Sequence, residues 1–135
     1  MSVIVGYFDL KKQLPSETLV TMLEASYVIS GAKSSFQEPW GGLGVISQPS
    51  DKQSVYECDG STIGLVDEFE SDCAMPRLDT MDDAQIALLR GGFIWAKMDV
   101  AQQCFLIVND HFARHPLYVV AYKDAILFAT QIKAL

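Results

Sequence analysis

The chain has 135 residues, half of them hydrophobic and a fifth charged, with 17 acidic against 10 basic side chains and a formal net charge of −7. That length predicts one domain spanning residues 1–135, with apolar content enough for a full core. The acidic balance argues against a nucleic-acid partner, no Lys/Arg run marks an anionic membrane surface, and no apolar run approaches the roughly 20 residues that cross a bilayer.

In chain order, Ser2–Phe8 (SVIVGYF) is β-branched and aromatic and predicts a buried first strand. Pro15 suits the first turn of a helix, where its missing N–H is no loss. Leu19, Leu23 and Tyr27 repeat at i, i+4 and carry that helix to about Ile29, with Ser30-Gly31 as its stop. Ala32 to Trp40 reads as loop. Gly42–Gln48 and Ser54–Cys58 read as strands. Asp59-Gly60 is a two-residue hairpin turn, because a type I′ turn needs positive φ at both positions. A strand over Thr62–Asp67 leads into the acidic stretch DEFESD. Thr80 and Asp83 give an [ST]-x-x-[DE] helix start, and Gly91 ends that helix after Arg90. From Gly92 the pattern is β: Phe93–Asp99, Cys104–Asn109, Leu117–Tyr122 and Ala125–Thr130, with short turns at Ala101-Gln102 and Lys123-Asp124.

These last strands are apolar on both faces, with Phe93 and Trp95 pointing one way and Ile94 and Ala96 the other. A sheet wet on one side alternates apolar and polar residues, so this one is expected to be covered twice. Two helices and about eight strands then predict an α+β fold of four layers, helix–sheet–sheet–helix (αββα), with two mainly antiparallel sheets.

Three cysteines, Cys58, Cys73 and Cys104, lie far apart and form no C-x-x-C pair. An odd count argues against a disulfide framework or a zinc site, and reduced thiols in the cytoplasm fit better. Cys104, between Gln103 and Phe105, is read as a core thiol. No basic region precedes Ser2 and Val3, so no signal peptide is expected. His111 and His115 flank Phe112 with no third ligand beside them, a poor metal site, so no metal is expected. Asp67, Glu68, Glu70 and Asp72 read as a solvated acidic edge.

One resemblance runs through the chain. Gly92-Phe93, Asp99, Asn109-Asp110-x-Phe112, Pro116-Leu117-Tyr118 and Phe128 to Leu135 (FATQIKAL) resemble the glutaminase domain of asparagine synthetases. That class II glutamine amidotransferase pattern reads G-x-F-A…D, then R-D-x-x-G-x-x-P-L-Y, then F-A-S-E-x-K-A-L. Met1 to Gly6 resembles its M-C-G-I-x-G opening. The resemblance implies the N-terminal-nucleophile hydrolase fold, which has the four layers expected above. It also implies a synthetase domain following K-A-L, in cis or in trans, as partner. ATP and magnesium are expected there, with a peptide or amino acid as substrate and no cofactor in this domain. The chain is then an excised domain or a stand-alone remnant.

The resemblance puts Ser2 at the nucleophile position, where the family has a cysteine freed by removal of Met1. The free α-amino group, with a pKa of about 7.7–8.0, is the base in that chemistry. The family's histidine–arginine segment, whose arginine binds the substrate carboxylate, falls after Gly44. Here Val45-Ile46-Ser47-Gln48 offers no cation for that bidentate contact. The family's oxyanion-hole Asn-Gly aligns with Asp67-Glu68, and a carboxylate there repels a developing oxyanion. Ser71-Asp72-Cys73 resembles S-D-C-E, whose aspartate holds the glutamine amino group. Substrate contacts are therefore expected at Asp67 and Asp72. The functional expectation is a degenerate glutaminase-like scaffold in an ATP-dependent amide-forming enzyme, of the kind that includes β-lactam and lasso-peptide synthetases. The alternatives are an active N-terminal-serine amidohydrolase using Ser2, and a stand-alone interaction module.

Overall fold

The computed structural model describes residues 3–26, 31–47, 55–58, 61–69, 82–88 and 91–135, and for 55–58, 61–69 and 91 the backbone only. β1 (Val3–Phe8) is the central strand of a five-stranded sheet. It pairs antiparallel with β3 (Gly41–Ser47) on one side and β9 (Ala125–Ala129) on the other. β2 (Ala32–Glu38) and β8 (Tyr118–Tyr122) are the edges. The second sheet is an antiparallel meander of β4 (Val55–Cys58), β5 (Ser61–Phe69), β6 (Gly91–Asp99) and β7 (Cys104–Asn109). Among the described residues the helices are α1 (Thr18–Ala25), α2 (Asp83–Ala87) and a 3-10 turn at Ile132–Ala134. The fold is α+β, mostly antiparallel sheet with little helix.

Alternation along β1 sends its side chains into two cores. Val3, Val5 and Tyr7 meet Leu19, Met22 and Leu23 of α1, together with Ile46, Ala129 and Ala134. Ile4 turns the other way and joins Leu43, Val45 and Phe128 against Ile94, Ala96 and Met98 of the second sheet. Each large side chain buried in this way contributes about 1.5–3 kcal/mol of transfer free energy. Phe105 sits among Phe8, Trp40 and Phe128 in edge-to-face contacts at 6.2, 5.7 and 5.4 Å between ring centroids. Close approach depends on missing side chains. A Cβ on Gly44 would lie 2.9 Å from Leu23 Cδ2, and one on Gly6 would lie 2.2 Å from Phe128 Cζ.

Buried Asp9 turns the chain out of β1. Its N–H donates to Trp40 O at 2.7 Å, and its carboxylate accepts from the Gln13 and Leu14 amides at 2.9 and 2.8 Å. Lys12, in the same turn, holds a left-handed φ of 52° and donates its N–H to Asp9 O at 3.2 Å.

Several sequence expectations change. Ala32 to Trp40 is not loop: β2 occupies most of it as a polar edge strand, and only one of its faces is half-buried. β5 runs two residues past its expected end at Asp67, through Glu68 and Phe69, paired to β6. α1 is shorter than its stripe, because Ser26 is extended (ψ 131°) and its hydroxyl donates to Met22 O. Tyr27 to Ser30 lie outside the described residues. α2 is capped by Asp82 rather than by Thr80. Asp82 accepts from the Gln85 amide at 2.8 Å, and Gln85 Oε1 accepts from the Asp82 amide at 3.0 Å. The Asp59-Gly60 turn lies outside the described residues, between Cys58 and Ser61, which pair directly. Double coverage holds for β6, where Phe93, Ile94, Trp95 and Ala96 are all buried. It fails for β8, where Val119, Val120 and Tyr122 are exposed. Cys104 is exposed rather than in the core. In β7 the inward register belongs to Phe105 and Ile107, which pack on the cluster between the sheets, and Cys104 falls in the opposite register.

Two measurements check this packing. Gly6→Ala is expected to lower unfolding stability by about 1–3 kcal/mol through overpacking on Phe128. Phe128→Leu in the same chain should recover part of that loss, read as coupling in a denaturant double-mutant cycle. Asp9→Ala, which strips two part-buried amides of their acceptor, should cost about 2 kcal/mol by the same titration.

Candidate functional site at the start of the first strand

Phe105 fixes which ends of the sheets meet. It touches Phe8 at the C-terminal end of β1 and pairs with Met98 near the C-terminal end of β6. The starts of the two strands, Val3 and Gly92, therefore share the opposite end of the space between the sheets. The end of β9 and the loop from β7 to β8 arrive there too. Thr130 holds the start of β1: its N–H donates to Ile4 O at 2.9 Å, and its Oγ1 accepts from the Ile4 amide at 3.1 Å. A cleft of about 300 Å³, lined by Tyr118, Thr130, Gln131, Ile132 and Lys133, opens beside it.

The β7–β8 loop repeats the Asp9 turn. Asp110 is buried; its N–H donates to Phe93 O at 2.9 Å, its carbonyl accepts from Ala113 N at 3.1 Å, and Oδ1 accepts from Arg114 N at 2.9 Å. Ala113 has φ 48°, at the place where the resemblance pattern carries glycine. A left-handed alanine costs about 1–2 kcal/mol, so the Asp110 bonds must hold it. The two turns differ at one atom. Both carboxylate oxygens of Asp9 accept an amide, whereas Asp110 Oδ2 is buried with no hydrogen-bond partner. Beyond the turn, Leu117 packs against the core between the sheets. The Arg114 side chain lies across Gly92, where a Cβ would come within 2.8 Å of Arg114 Cδ and 3.4 Å of a guanidinium nitrogen. Gly92 is two residues before Ile94 and so faces the space between the sheets.

The residues expected to carry chemistry are only partly placed. Ser2 and Asp72 lie outside the described residues. Asp67 stands in β5 opposite Phe93, and Glu68 stands opposite Gly92. Val45 and Ile46 are fully buried, the first between the sheets and the second beneath α1. His111 Nε2 lies 3.3 Å from Ala87 O and links the loop to α2. Among the described residues no group of three or more His, Cys, Asp or Glu could hold a metal ion, and no helix is long and apolar enough to cross a membrane. Sequence reasoning did not single out Thr130 or Arg114. The available signal was the spacing Asp-x-x-x-Arg after a strand, set against the same spacing Asp9 to Gln13.

A model of the glutamine amidotransferase domain matches residues 50–135, well over half of the chain. The matched segment contains β4 to β9, the Asp110 loop and Thr130, but not β1. A search of curated proteins finds no match. The resemblance of the strand and loop motifs and the family match agree, and the chain belongs to the glutamine amidotransferase domain family.

Proposed function

We propose that this domain has the four-layer N-terminal-nucleophile hydrolase arrangement and belongs to an asparagine synthetase-like, ATP-dependent amide-forming enzyme, in which it acts as a scaffold rather than as a glutaminase. The observation that carries the reading is the fate of the strand after Gly44. In the asparagine synthetase pattern an arginine there grips the substrate carboxylate. Here Val45 and Ile46 fill two different cores. An unpaired charge at either position would cost several kcal/mol, so the family's grip is absent from its place.

Other features point the same way. Asp67-Glu68 stand where oxyanion donors are expected, and carboxylates oppose the charge that develops there. Ser2 holds the nucleophile position with a hydroxyl, a weaker nucleophile than a thiol at neutral pH. Asp72 matches the aspartate that holds the substrate amino group, and with Asp67 it is the acidic position through which a substrate would be held. The four-layer reading is supported by burial. α1 covers one face of the first sheet, the second sheet covers the other, and Phe93 and Trp95 are buried on the far face of β6, where a second helical layer would lie.

In β-lactam and lasso-peptide synthetases, which this chain resembles at one remove, the amine is already part of the substrate. Ammonia from glutamine is then unnecessary, and a glutaminase site can be lost while its frame persists. No phosphate-binding loop occurs in the sequence. ATP and magnesium chemistry is assigned to a synthetase domain, in cis or in trans, acting on a peptide or amino acid.

The test is ammonia release from glutamine by the chain with Met1 removed, beside Ser2→Ala. Both proteins should match the background rate. Release by the parent that disappears in Ser2→Ala would make Ser2 a working nucleophile and overturn the scaffold reading.

A further inference from the structure

β8 is an edge strand of the five-stranded sheet, and among the described residues its outer edge pairs with no other strand. The hydrogen-bond phase of that edge follows from its neighbours. Thr130 N–H donates to Ile4 O, so the even-numbered residues of β9 turn their backbone groups toward β1, and Ala125, Leu127 and Ala129 turn theirs toward β8. Their partners Tyr122, Val120 and Tyr118 bond inward. Val119 and Ala121 therefore aim their N–H and C=O groups outward. The strand reads YVVAY, without charge or proline, and Val119, Val120 and Tyr122 are exposed. The opposite edge of the same sheet, β2, carries Lys33, Gln37 and Glu38, the kind of polar edge that resists pairing.

We propose that β8 is a homodimer interface, in which a second copy of this chain adds its own β8 antiparallel about a twofold axis at Val120. Self-complementarity selects this occupant. Val119 and Ala121 lie equally far on either side of Val120, so the axis sets Val119 of each copy opposite Ala121 of the other, and their outward amide and carbonyl groups pair. Val120 then faces its own copy, and Tyr118 faces Tyr122 of the second copy, at the non-hydrogen-bonded positions where side chains come closest. Both faces of the strand offer apolar surface. Tyr118, Val120 and Tyr122 share the α1 side of the sheet with Leu127 and Ala129, and Val119 shares the other side with Ile126, which is also exposed. The approach is open as well. β7 packs through Phe105 on Phe8 and Phe128, and β8 lies one strand further out than β9, so the first sheet projects past the second on this side. β7, also an uncharged edge, is recessed behind that projection. A five-residue strand buries a modest area and each copy carries a charge of −7, so the dimer is weak and depends on concentration. Tyr118 also lines the cleft beside Thr130, so pairing brings the second copy to its wall. The proposal is independent of whether the domain is a scaffold or a glutaminase.

The experiment is sedimentation equilibrium of the full chain from micromolar to submillimolar concentration, joined to disulfide trapping. The mass should rise from 14.9 kDa toward twice that value. Val120→Lys sets like charges across the axis and should weaken dimerisation about tenfold or more, whereas Leu106→Lys, at an exposed position of β7, should leave it unchanged. In a Cys104→Ser background, Val120→Cys should form an intermolecular disulfide on mild oxidation, because the pair at the axis has Cα atoms about 4.5 Å apart. Val119→Cys, offset from its own copy along the strand, should form far less. Val120 is exposed, so its substitutions leave the cores intact. A parent chain that stays monomeric throughout, parent-like dimerisation in Val120→Lys, or equal trapping by the two cysteine variants would overturn the assignment. So would a dimer lost in Leu106→Lys and kept in Val120→Lys, which would place the contact on β7.

Discussion

β1 must be buried on both faces, and the rest of the architecture follows from that constraint. A central strand reading VIVGYF has no polar side to give to solvent. One face therefore needs a helix and the other needs a second sheet. α1 supplies the first through Leu19, Met22 and Leu23, and β6 supplies the second through Ile94, Ala96 and Met98. The glycines make both contacts possible. Gly44 lets Leu23 reach the sheet from the helix side, and Gly6 gives the Phe128 ring its place on the other. The same strand fixes the location of the candidate site, because residue 2 immediately precedes it.

Much of this was legible in the chain. β1, β3, β6, β7 and β9 announced themselves by β-branched and aromatic content, and the double-sided apolarity of β6 correctly required cover on both faces. The failures have physical causes. β2 is an edge strand, paired on one side only, and its Lys, Ser, Gln and Glu side chains carry no apolar alternation to detect. β5 outruns its expected end at Asp67 by Glu68 and Phe69, because backbone register with β6, which side-chain charge does not report, holds those residues in the sheet. Cys104 was misplaced because a thiol beside phenylalanine looks like core, while one residue of alternation carries it to the opposite face. Of the site residues, the sequence offered motif positions only. Family motifs pointed to Ser2, Asp67 and Asp72, all positions read along the chain. Arg114 meets Gly92 across a sheet, and no spacing rule reports a contact made between a loop and another strand.

The match to the glutamine amidotransferase family and the described fold overlap in one continuous part of the chain. The segment that matches the family, residues 50–135, holds the second sheet and the loop that returns the chain to the first. Within it, the Asp110 turn holds Ala113 at a left-handed φ of 48°. In β3, Val45 and Ile46 are buried in two different cores.

β8 has a further consequence. Tyr118–Tyr122 is an uncharged edge strand with one flank unpaired among the described residues and its side chains largely open to water. Nothing in its shape, neither bulge nor proline nor inward charge, discourages sheet growth onto a neighbouring molecule. The net charge of −7 opposes such growth by like-charge repulsion. That repulsion weakens with added salt and as the pH nears the sequence isoelectric point of about 4.6.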